Sequence, residues 1–394
     1  MKICMIGTGY VGLVSGVCFS DLGNSVVCID NNKTKIENLK KGVIPIYEPG
    51  LQELVTKNYK ANRLNFTTDL KDAIKNSAVI FICVGTPTKK NSYSADLSQI
   101  YKVTREIRKY INNFKVIVMK STVPVTTGDE VEKIISQKKS KKLFSVVSNP
   151  EFLREGEAIR DFMFPDRVVI GTNNTKANNI IKSLYEPIIK KGTKYLNTSR
   201  KCAELIKYAN NSFLATKISF INQLANICQK LPNANVDIIA NAIGLDPRIG
   251  NLFLNAGPGF GGSCLPKDLN ALINFSSKIG YKNSFLTEVR NTNLKQSKKI
   301  LELLKLNLGS LKNKKITILG VSFKENSDDV RESIAIKLVN LLLQNNVKIN
   351  AHDPKALPNL KKIFHEKIKY FNSVSKSLAT SDCAVILTSW KEYK

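Results

Sequence analysis

One cysteine of this 394-residue chain lies in a sequence that suits a nucleophile. Cys264 follows the glycine-rich loop GPGFGGS and precedes Lys267 and Asp268. Such a loop exposes backbone N–H groups, and a neighbouring lysine favours the thiolate, which is the reactive form of cysteine. If a helix begins here, Asp268 lies within reach of the thiol and can act as a base. On the residues alone, a nucleophile and a buried cysteine in a turn are about equally supported.

A second candidate site lies near the N-terminus and suits a dinucleotide. The residues Gly7, Gly9 and Gly12 form the pattern G-x-G-x-x-G after an apolar run, and Asp30 follows 18 residues after Gly12. In this pattern the glycines bring a pyrophosphate close to a helix N-terminus, while the acidic residue binds the ribose hydroxyls. Because a carboxylate repels a 2′-phosphate, the pattern predicts NAD rather than NADP, a preference that Lys35 slightly weakens.

Other polar residues share a helix face or follow a strand. Lys207 and Asn211 lie four residues apart in a long helical pattern, so both project from one face, which apolar residues flank. A lysine buried on such a face has a lowered pKa and can act as an acid or bind an anion, although a solvated polar stripe fits the spacing equally well. Thr86 and Thr122 each follow an apolar run, which places them either beside a ligand crevice or at a plain helix start.

The elements that must position these residues alternate between strand and helix. Short apolar runs predict buried parallel strands at Lys2–Ile6, Ser25–Ile29, Ala78–Val84, Lys115–Lys120 and Phe144–Val147. The opening pattern returns near residue 315, because Lys315–Leu319 precedes Gly320 and Val347–Asn350 precedes Asp353. We therefore predict an α/β fold with two doubly wound parallel sheets, separated by a helix of roughly thirty residues that starts near residue 200.

Composition narrows the classes of function. The chain has 60 Lys+Arg against 32 Asp+Glu, a formal charge of +28, which suggests an anionic partner. Its two histidines, His352 and His365, lie near the C-terminus, which argues against a Ser-His-Asp hydrolase or a multi-histidine metal site. The lysines are spread along the chain and no nucleic-acid-binding motif occurs, so we expect no nucleic-acid partner.

Cysteine usage and hydropathy bear on the compartment. The eight cysteines are scattered without a Cys-x-x-Cys pair, so we expect most of them to be buried thiols in a reducing cytoplasm. The apolar N-terminus fits the strand and helix around the glycine turn better than a signal peptide. No run of 18 apolar residues occurs, so we expect no membrane-spanning helix. We also expect no metal site.

Five segments together resemble one known family. They are Gly7–Gly12, Ser121–Pro124, Asn149–Gly156, Gly257–Asp268, and Gly320–Lys324 with Asp328–Ser333. In this order the chain is similar, along its whole length, to the UDP-glucose/GDP-mannose dehydrogenase family. The resemblance implies two Rossmann-like doubly wound parallel sheets joined by a long central helix. It also implies three domains, which are an NAD-binding domain at 1–199, a central helical dimerisation region with the cysteine loop at 200–305, and a UDP-sugar-binding domain at 306–394.

The resemblance further implies a reaction. It is the four-electron oxidation of the C6 alcohol of UDP-glucose to the carboxylate of UDP-glucuronate, with two NAD molecules used in turn. A cysteine thiohemiacetal and then a thioester are the implied covalent intermediates. The implied assembly is a homodimer or a higher homo-oligomer.

Carried over residue by residue, the resemblance assigns roles in this chain. Cys264 is the nucleophile, Lys207 stabilises oxyanions and Asn211 holds the sugar. Asp268 assists as a base, and Glu151 with Thr122 positions a water. The implied cofactor contacts are Gly7, Gly9, Val11, Gly12, Asp30, Lys35, Thr86, Thr122, Glu155, Lys267 and Arg331. The implied substrate contacts are Glu151, Phe152, Leu153, Arg154, Glu155, Lys207, Asn211, Arg248, Phe253, Asn255, Gly257, Gly261 and Lys324, with Arg248 reaching the neighbouring subunit's substrate.

The chain departs from the family pattern at two places. His352 stands before Asp353 where tyrosine is usual, and the chain stops at Lys394 where members continue with further elements, one of which carries an arginine. The UDP-sugar domain is therefore expected to be shortened. Three alternatives stay open, namely a dehydrogenase of GDP-mannose or UDP-N-acetylmannosamine, an inactive shortened member of the family, and a non-catalytic nucleotide or nucleic-acid binder suggested by the charge.

Overall fold

The computed structural model describes residues 1–89, 92 and 94–393, so Lys394, the last residue of the predicted third domain, lies outside the described residues. The chain divides into two compact units, Met1–Ala209 and Asn210–Lys394. The division falls within a 29-residue helix, Arg200–Cys228. The predicted long helix near residue 200 is therefore confirmed.

An eight-stranded sheet lies at the centre of the N-terminal unit. Its strands are β1 (Lys2–Ile6), β2 (Ser25–Ile29), β3 (Leu64–Thr67), β4 (Val79–Ile82), β5 (Lys115–Met119), β6 (Phe144–Ser148), β7 (Arg167–Gly171) and β8 (Lys194–Thr198). Their spatial order is β3-β2-β1-β4-β5-β6-β7-β8, and neighbours are parallel except β6 and β7. Because the strand order reverses at β1, a crevice forms between the connections that leave β1 and β4, where ligands bind in such sheets.

Helices supply the apolar cover of this sheet. They are α1 (Tyr10–Asp21), α2 (Lys33–Lys40), α3 (Leu51–Lys60), α4 (Leu70–Asn76), α5 (Ser98–Tyr110), α6 (Thr127–Ser136), α7 (Ala158–Met163) and α8 (Thr175–Ile189), followed by α9 (Arg200–Cys228). Along β4, Val79 and Phe81 pack into one apolar cluster and Ile80 and Ile82 into another, because successive side chains of a strand point to opposite faces. Both faces of the strand are thus buried, which explains why its sequence is a continuous apolar run.

The C-terminal unit begins within α9 and contains a second sheet. Its further helices are α10 (Val236–Gly244), α11 (Leu265–Lys278), α12 (Ser284–Leu308), α13 (Ile334–Gln344), α14 (Leu357–Phe364) and α15 (Val374–Leu378). Its strands β9 (Lys315–Leu319), β10 (Lys348–His352), β11 (Lys369–Phe371) and β12 (Cys383–Ile386) form a parallel sheet in the order β11-β10-β9-β12. Single 3-10 turns occur at Lys141–Leu143, His365–Lys367 and Lys391–Tyr393. The second α/β domain, predicted from the pattern near residue 315, is confirmed.

Strand bounds differ from the sequence prediction mainly at carboxyl ends. The run Ala78–Val84 contributes only Val79–Ile82 to the sheet, and Lys115–Lys120 ends at Met119. The chain leaves the sheet at these points because the following residues form the loops of the crevice. In the second sheet, the strand expected at Val347–Asn350 runs instead over Lys348–His352.

All eight cysteines are free, and four of them are buried. The buried ones, Cys4, Cys18, Cys28 and Cys83, lie in or beside the large sheet and α1. The expectation that most cysteines are buried is wrong for the other four, because these lie in the cysteine loop, on an edge strand or towards the ends of α9. Among the residues that the structure describes, no helix is long and apolar enough to cross a membrane.

Candidate active site

The glycine turn between β1 and α1 has the backbone geometry that a dinucleotide needs. Gly7 has φ +103°, and a Cβ on Gly12 would lie 1.9 Å from the carbonyl oxygen of Gly7, so α1 can approach β1 only without that side chain. A Cβ on Gly9 would meet no protein atom within 4 Å, since this residue faces open space before the helix. No side chain caps α1, so the N–H groups of its first turn, including that of Val11, remain available. The turn therefore fits a pyrophosphate.

Asp30, at the end of β2, is held as a carboxylate beside this turn. Its Oδ2 accepts hydrogen bonds from the Thr8 hydroxyl at 2.7 Å and from Lys35 Nζ at 3.0 Å. Burial by itself would raise the pKa of Asp30, but the hydrogen bonds from Thr8, Asn32 and Lys35 hold it below its usual value. The predicted cofactor residues Asp30 and Lys35 are thus an ion pair, and the negative charge that disfavours a 2′-phosphate is partly neutralised.

The two threonines that follow β4 and β5 are in direct contact. The Thr86 hydroxyl donates to the carbonyl oxygen of Thr122 at 2.8 Å, and Ser121 donates to that of Val84 at 2.7 Å. These bonds tie the loop after β4 to the loop after β5. The structure therefore brings Thr86 and Thr122, which the sequence placed at two separate strand ends, to one edge of the crevice.

A buried ion pair joins Glu151 to Lys207. Lys207 Nζ lies 3.1 Å from Glu151 Oε1, and both side chains are 5% exposed. The same ammonium lies 5.3 Å from the ring centroid of Phe152, whose other neighbour is the Arg167 guanidinium at 4.2 Å. The backbone N–H of Leu153 donates to Glu151 Oε2 at 2.6 Å. The face of α9 that carries Lys207 is therefore buried, and the ammonium forms an ion pair there with Glu151.

The rest of this predicted substrate segment is more exposed. Arg154 lies on the surface with its guanidinium 2.6 Å from Asp161 and 2.7 Å from Glu157, while Glu155 is half-buried. The backbone N–H of Arg154 also donates to Asp161, at 2.9 Å. Asp161 thus binds both the guanidinium and the backbone N–H of Arg154.

Lys120 is a buried charge to which the sequence interpretation assigned no function. Its Nζ donates to Asn149 Oδ1 and to the Tyr185 hydroxyl, both at 3.2 Å. Burial lowers the pKa of Lys120 to about 8, against the opposing effect of Glu151 and Cys83. The sequence signal for a buried ammonium is that Lys120 directly follows the apolar run VIVM of a fully buried strand.

Two carboxylates of the N-terminal unit hold loops of the candidate site in place. Glu48 accepts hydrogen bonds from the backbone N–H groups of Gly156 at 2.6 Å and Ala158 at 2.7 Å, and from the Tyr10 hydroxyl. Glu204, one turn before Lys207, accepts from the Thr126 and Gly128 N–H groups and from Ser148 Oγ within 2.9 Å. Burial raises the pKa of Glu204 despite these bonds. Only tertiary contacts reveal the function of Glu48, since no local pattern marks it.

In the C-terminal unit, Cys264 directly precedes α11. The helix starts at Leu265 with Pro266 in its first turn, and the Asp268 N–H donates to the Cys264 carbonyl oxygen at 2.8 Å. The thiol is half-buried, and the Ser263 hydroxyl lies 3.6 Å from Sγ. A thiol at a helix N-terminus is stabilised as the thiolate by the helix dipole. The helix start that the candidate nucleophile requires is therefore present.

Asp268 is fully buried beside this helix start and has two polar partners. Asn211 Nδ2 donates to its Oδ2 at 2.6 Å, and Lys267 Nζ lies 2.6 Å from its Oδ1. Asn211 is itself buried, whereas Lys267 is half-buried. Three residues with predicted roles therefore form one hydrogen-bonded group. Two of them, Lys267 and Asp268, follow Cys264 closely in the chain.

The glycine-rich loop is fixed by its neighbours within this unit. The Gly257 N–H donates to Asn222 Oδ1 at 2.8 Å, and a Cβ on Gly261 would lie 2.6 Å from the Glu332 carbonyl oxygen. Phe253, in the predicted substrate segment, has the left-handed φ of +66° and is half-buried, and Asn255 is exposed. Gly257 itself is exposed, and a Cβ there would meet no protein atom within 4 Å.

The remaining predicted cations differ in how their charge is used. Arg248 and Arg331 are exposed and lie 2.6 Å from Asp246 and 2.5 Å from Asp329, respectively. Lys324 is half-buried. Exposure of Arg248 leaves it accessible to a second molecule, and its neighbour Asp246 restrains its orientation.

His352 is buried and takes part in a hydrogen bond between distant parts of the chain. Its Nδ1 lies 2.8 Å from the hydroxyl of Tyr393, and the ring is 4% exposed. Asp353, next in the chain, accepts from the N–H groups of Val321 and Ser322 and from Trp390 Nε1. In the described part of the chain, no group of three or more His, Cys, Asp or Glu side chains could hold a metal ion.

Three comparisons agree on the relationship of this chain to known proteins. Residues 1–189 match the NAD binding domain of the UDP-glucose/GDP-mannose dehydrogenase family, residues 201–295 its central domain and residues 317–394 its UDP binding domain. UDP-glucose 6-dehydrogenase TuaD of Bacillus subtilis is 47% identical over 394 residues, which are 100% of this chain and 84% of that protein. The UDP-glucose 6-dehydrogenase of Rhizobium meliloti is 46% identical, over 100% of this chain and 90% of its own length.

The fold has a close counterpart among solved structures. A UDP-glucose dehydrogenase from the hyperthermophilic archaeon Pyrobaculum islandicum aligns with a TM-score of 0.96 at 36% identity, covering 100% of this chain and 90% of that one. The alignment with this relative covers the dinucleotide turn, the Glu151–Lys207 pair and the Cys264–Asp268 segment. The chain belongs to the UDP-glucose/GDP-mannose dehydrogenase family.

Proposed function

We propose that this protein oxidises UDP-glucose to UDP-glucuronate with two molecules of NAD, and that Cys264 carries the covalent intermediates. The observation that supports this most directly is the position of Cys264 at the start of α11, four residues before the buried Asp268, which Asn211 and Lys267 bind. A thiolate suits the reaction because its adduct with an aldehyde can lose a hydride to give a thioester. Water then cleaves the thioester readily, since a thiolate is a good leaving group.

The chain's residues have distinct tasks in this proposal. The Cys264 thiolate adds to the C6 aldehyde to form a thiohemiacetal, which after loss of a hydride becomes a thioester. Water then attacks the thioester carbonyl, and the carbon–sulfur bond breaks to release the carboxylate and the thiol. Asp268 assists as the base for this water, because its carboxylate is buried and oriented by Asn211 at 2.6 Å.

In this proposal, Lys207 stabilises the negative charge that develops on the oxygen atom bonded to C6, and Glu151 supports Lys207. A buried ammonium stabilises a developing oxyanion more strongly than a solvated one, because the surrounding dielectric constant is low. Glu151, 3.1 Å from Lys207, orients the ammonium and, with Thr122, positions a water. Asn211 holds the sugar, and Phe152, Leu153, Arg154, Glu155, Phe253, Asn255, Gly257, Gly261 and Lys324 provide further substrate contacts.

The cofactor is held by the turn between β1 and α1 and by the residues around it. When bound, NAD accepts one hydride in each of the two oxidations. Gly7, Gly9, Val11 and Gly12 receive the pyrophosphate, and Asp30 binds the ribose hydroxyls. Lys35, Thr86, Thr122, Glu155, Lys267 and Arg331 complete the proposed contacts.

Measurement of stoichiometry tests the reaction and the substrate together. Purified protein is incubated with excess NAD and a limiting amount of UDP-glucose, GDP-mannose or UDP-N-acetylmannosamine. We expect two NADH per UDP-glucose and turnover of the other sugars at less than a tenth of that rate. Turnover of GDP-mannose or UDP-N-acetylmannosamine with none of UDP-glucose would contradict the substrate, and no turnover with any sugar would support an inactive member of the family.

Replacement of the nucleophile tests the covalent route. In Cys264→Ser, UDP-glucuronate formation should be abolished, while NAD binding, measured by calorimetry, is retained. The matched control is Cys202→Ser, because Cys202 is exposed and lies in the other unit. Unchanged turnover by Cys264→Ser would exclude a thioester intermediate.

An exposed apolar stripe on α9 supports assembly into homo-oligomers. Phe213, Phe220 and Ile227 are seven residues apart, so they share one helix face, and they are 66%, 50% and 52% exposed. A second copy of this chain is the proposed partner, as in the predicted dimer. Phe220→Glu should reduce the molar mass in light scattering to that of one chain, whereas Leu306→Glu, at a residue of α12 that is 81% exposed, should not. A monomeric parent protein would contradict the proposal.

We further propose the functions of three domains and the compartment of the reaction. The domains are residues 1–199 for NAD, 200–305 for the central helices and the cysteine loop, and 306–394 for the UDP-sugar, which the ranges of the three family matches support. The reaction takes place in the cytoplasm, which the eight free cysteines support because a reducing compartment preserves thiols.

A further inference from the structure

The loop that leads to Cys264 is held by a side chain for which no function has been proposed above. Asn293, on α12, is 5% exposed and forms two hydrogen bonds with one residue of the loop. The Phe260 N–H donates to Asn293 Oδ1 at 2.7 Å, and Asn293 Nδ2 donates to the Phe260 carbonyl oxygen at 2.8 Å. A single amide thus pairs both backbone groups of Phe260, as the edge of a neighbouring strand would.

This pairing meets a requirement of the loop itself. Phe260 is 5% exposed, and the loop lies between α10 and α11 without secondary structure of its own. Buried backbone N–H and C=O groups need partners, and a loop has none in its own segment. The Asn293 side chain supplies both partners from an element that is fixed by its own helical hydrogen bonds. Removing it would leave two buried polar groups unpaired.

The neighbouring glycines show how closely the loop passes over this amide. Gly259 has φ +109°, and a Cβ there would lie 2.5 Å from Asn293 Oδ1. On the other side of Phe260, the Gly262 N–H donates to the Arg331 carbonyl oxygen at 3.0 Å. The Phe260 side chain packs with Ala215 and Leu269 in an apolar cluster. The chain four residues before Cys264 is therefore fixed by side-chain packing and by hydrogen bonds on both sides.

We propose that Asn293 is a positioning residue that fixes the loop backbone and, through it, the place of the Cys264 thiol at the start of α11. The proposal rests on the function of Cys264 proposed above. Asn293 does not contact the thiol, so its effect is on orientation. Misplacing a reacting group by about 1 Å can cost about a hundredfold in rate, and loss of this clamp should therefore act chiefly on kcat.

Two substitutions separate positioning from a general loss of structure. In Asn293→Leu, both hydrogen bonds are lost. In Asn293→Asp, the carboxylate still accepts from the Phe260 N–H but sets a second acceptor against the Phe260 carbonyl oxygen. Burial and the facing carbonyl oxygen both disfavour the charged carboxylate and so raise its pKa, and the protonated aspartic acid has the same shape as asparagine and restores a donor at that place. The Asp variant should therefore recover activity when the pH falls, whereas the Leu variant should not.

The experiment measures kcat and KM from pH 6 to 9 for the parent protein and both variants, with circular dichroism to confirm folding. We expect kcat at pH 8.5 to fall at least tenfold in both, with KM for NAD within twofold of the parent value. Relative to the parent, Asn293→Asp should regain at least threefold in kcat between pH 8.5 and pH 6. Asn307→Asp is the matched control, since Asn307 lies on α12 and also donates to a backbone carbonyl, that of Leu303 at 2.8 Å.

The outcomes distinguish the positioning role of Asn293 from the covalent function of Cys264. A parent-like kcat in a folded Asn293→Leu variant would overturn the positioning role while Cys264→Ser remains inactive. Full turnover by Cys264→Ser would instead refute the covalent function and, with it, the reason to position the thiol.

Discussion

The amide of Asn211 donates to the carboxylate of Asp268 at 2.6 Å, and the two residues lie 57 positions apart in the chain. The bond links the long helix α9 to the first turn of α11, directly after Cys264. Asp268 is fully buried, so its carboxylate depends on this donor and on Lys267 for compensation of its lost hydration.

Asp268→Asn should therefore lower kcat strongly with little change in KM for NAD. The substitution keeps the shape and removes the charge and the basic oxygen, and loss of a general base typically costs about 10²- to 10⁴-fold. Steady-state assays with UDP-glucose check the rate. Asp237→Asn is the control, because Asp237 is exposed on α10 of the same unit. An equal loss in both variants would show that the effect is not specific to the buried carboxylate.

Lys207→Ala should reduce both the rate and the stability of the protein. Removal of the ammonium deprives a developing oxyanion of its stabilising charge, and it leaves the buried Glu151 without its ion-pair partner, at a cost on the order of 3–5 kcal/mol. Thermal unfolding and kcat are measured together. The control is Lys201→Ala, on the same helix but with a 63% exposed side chain.

A double variant separates the two effects of Lys207. In Glu151→Gln combined with Lys207→Met, neither buried charge remains, so much of the lost thermal stability should return. The rate should stay low, because the oxyanion still lacks a cation. Recovery of kcat together with stability would show that Lys207 has a structural function alone.

Substitution of two glycines in the dinucleotide turn should affect two different properties, the stability of the fold and the affinity for NAD. A Cβ on Gly12 would lie 1.9 Å from the Gly7 carbonyl oxygen, so Gly12→Ala should lower the melting temperature or prevent folding. A Cβ on Gly9 would meet no protein atom within 4 Å, so Gly9→Ala should fold normally. It should nevertheless raise KM for NAD at least fivefold, because the methyl group occupies the space that a pyrophosphate needs. Calorimetric titration with NAD and thermal unfolding check both variants, and an unchanged NAD affinity in Gly9→Ala would contradict the site.

The buried ammonium of Lys120 should make stability depend on pH in a known direction. Burial lowers its pKa from 10.5 to about 8. Between these pH values the unfolded chain retains a proton that the folded chain has lost, so the contribution of Lys120 to the free energy of unfolding rises with pH across that window. The steepest slope for one group is about 1.4 kcal/mol per pH unit.

Comparison with Lys120→Met isolates this contribution, because methionine carries no proton. The melting temperature of the parent protein minus that of the variant should increase between pH 7.5 and pH 9.5. Lys60→Met, at an exposed residue of α3, serves as the control. A difference that is constant over this range would show that Lys120 is not a buried cation.

Local patterns in the sequence determined several of the strands and the dinucleotide turn, whereas they gave no prediction of β3, β7, β8, β11 or β12. The strands Lys2–Ile6, Ser25–Ile29 and Lys315–Leu319 have the predicted bounds. Each is a short apolar run ended by a residue that cannot continue it, so neighbouring residues alone specify the element. The sequence by itself leaves open whether a helix begins beside Cys264, and the structure starts α11 at Leu265, directly after it.

The tertiary structure decided which polar residues meet. Lys207 lies 3.1 Å from Glu151, Glu48 accepts from Gly156 over 108 positions of sequence, and Asn293 holds Phe260 over 33. None of these pairs has a sequence signal of its own, because each depends on how separate elements pack. Burial is equally a property of the packed state, and it is what lowers the pKa of Lys120. The sequence thus specified the chemical groups and their local elements, and packing decided which of these groups have buried partners and which remain accessible to a ligand.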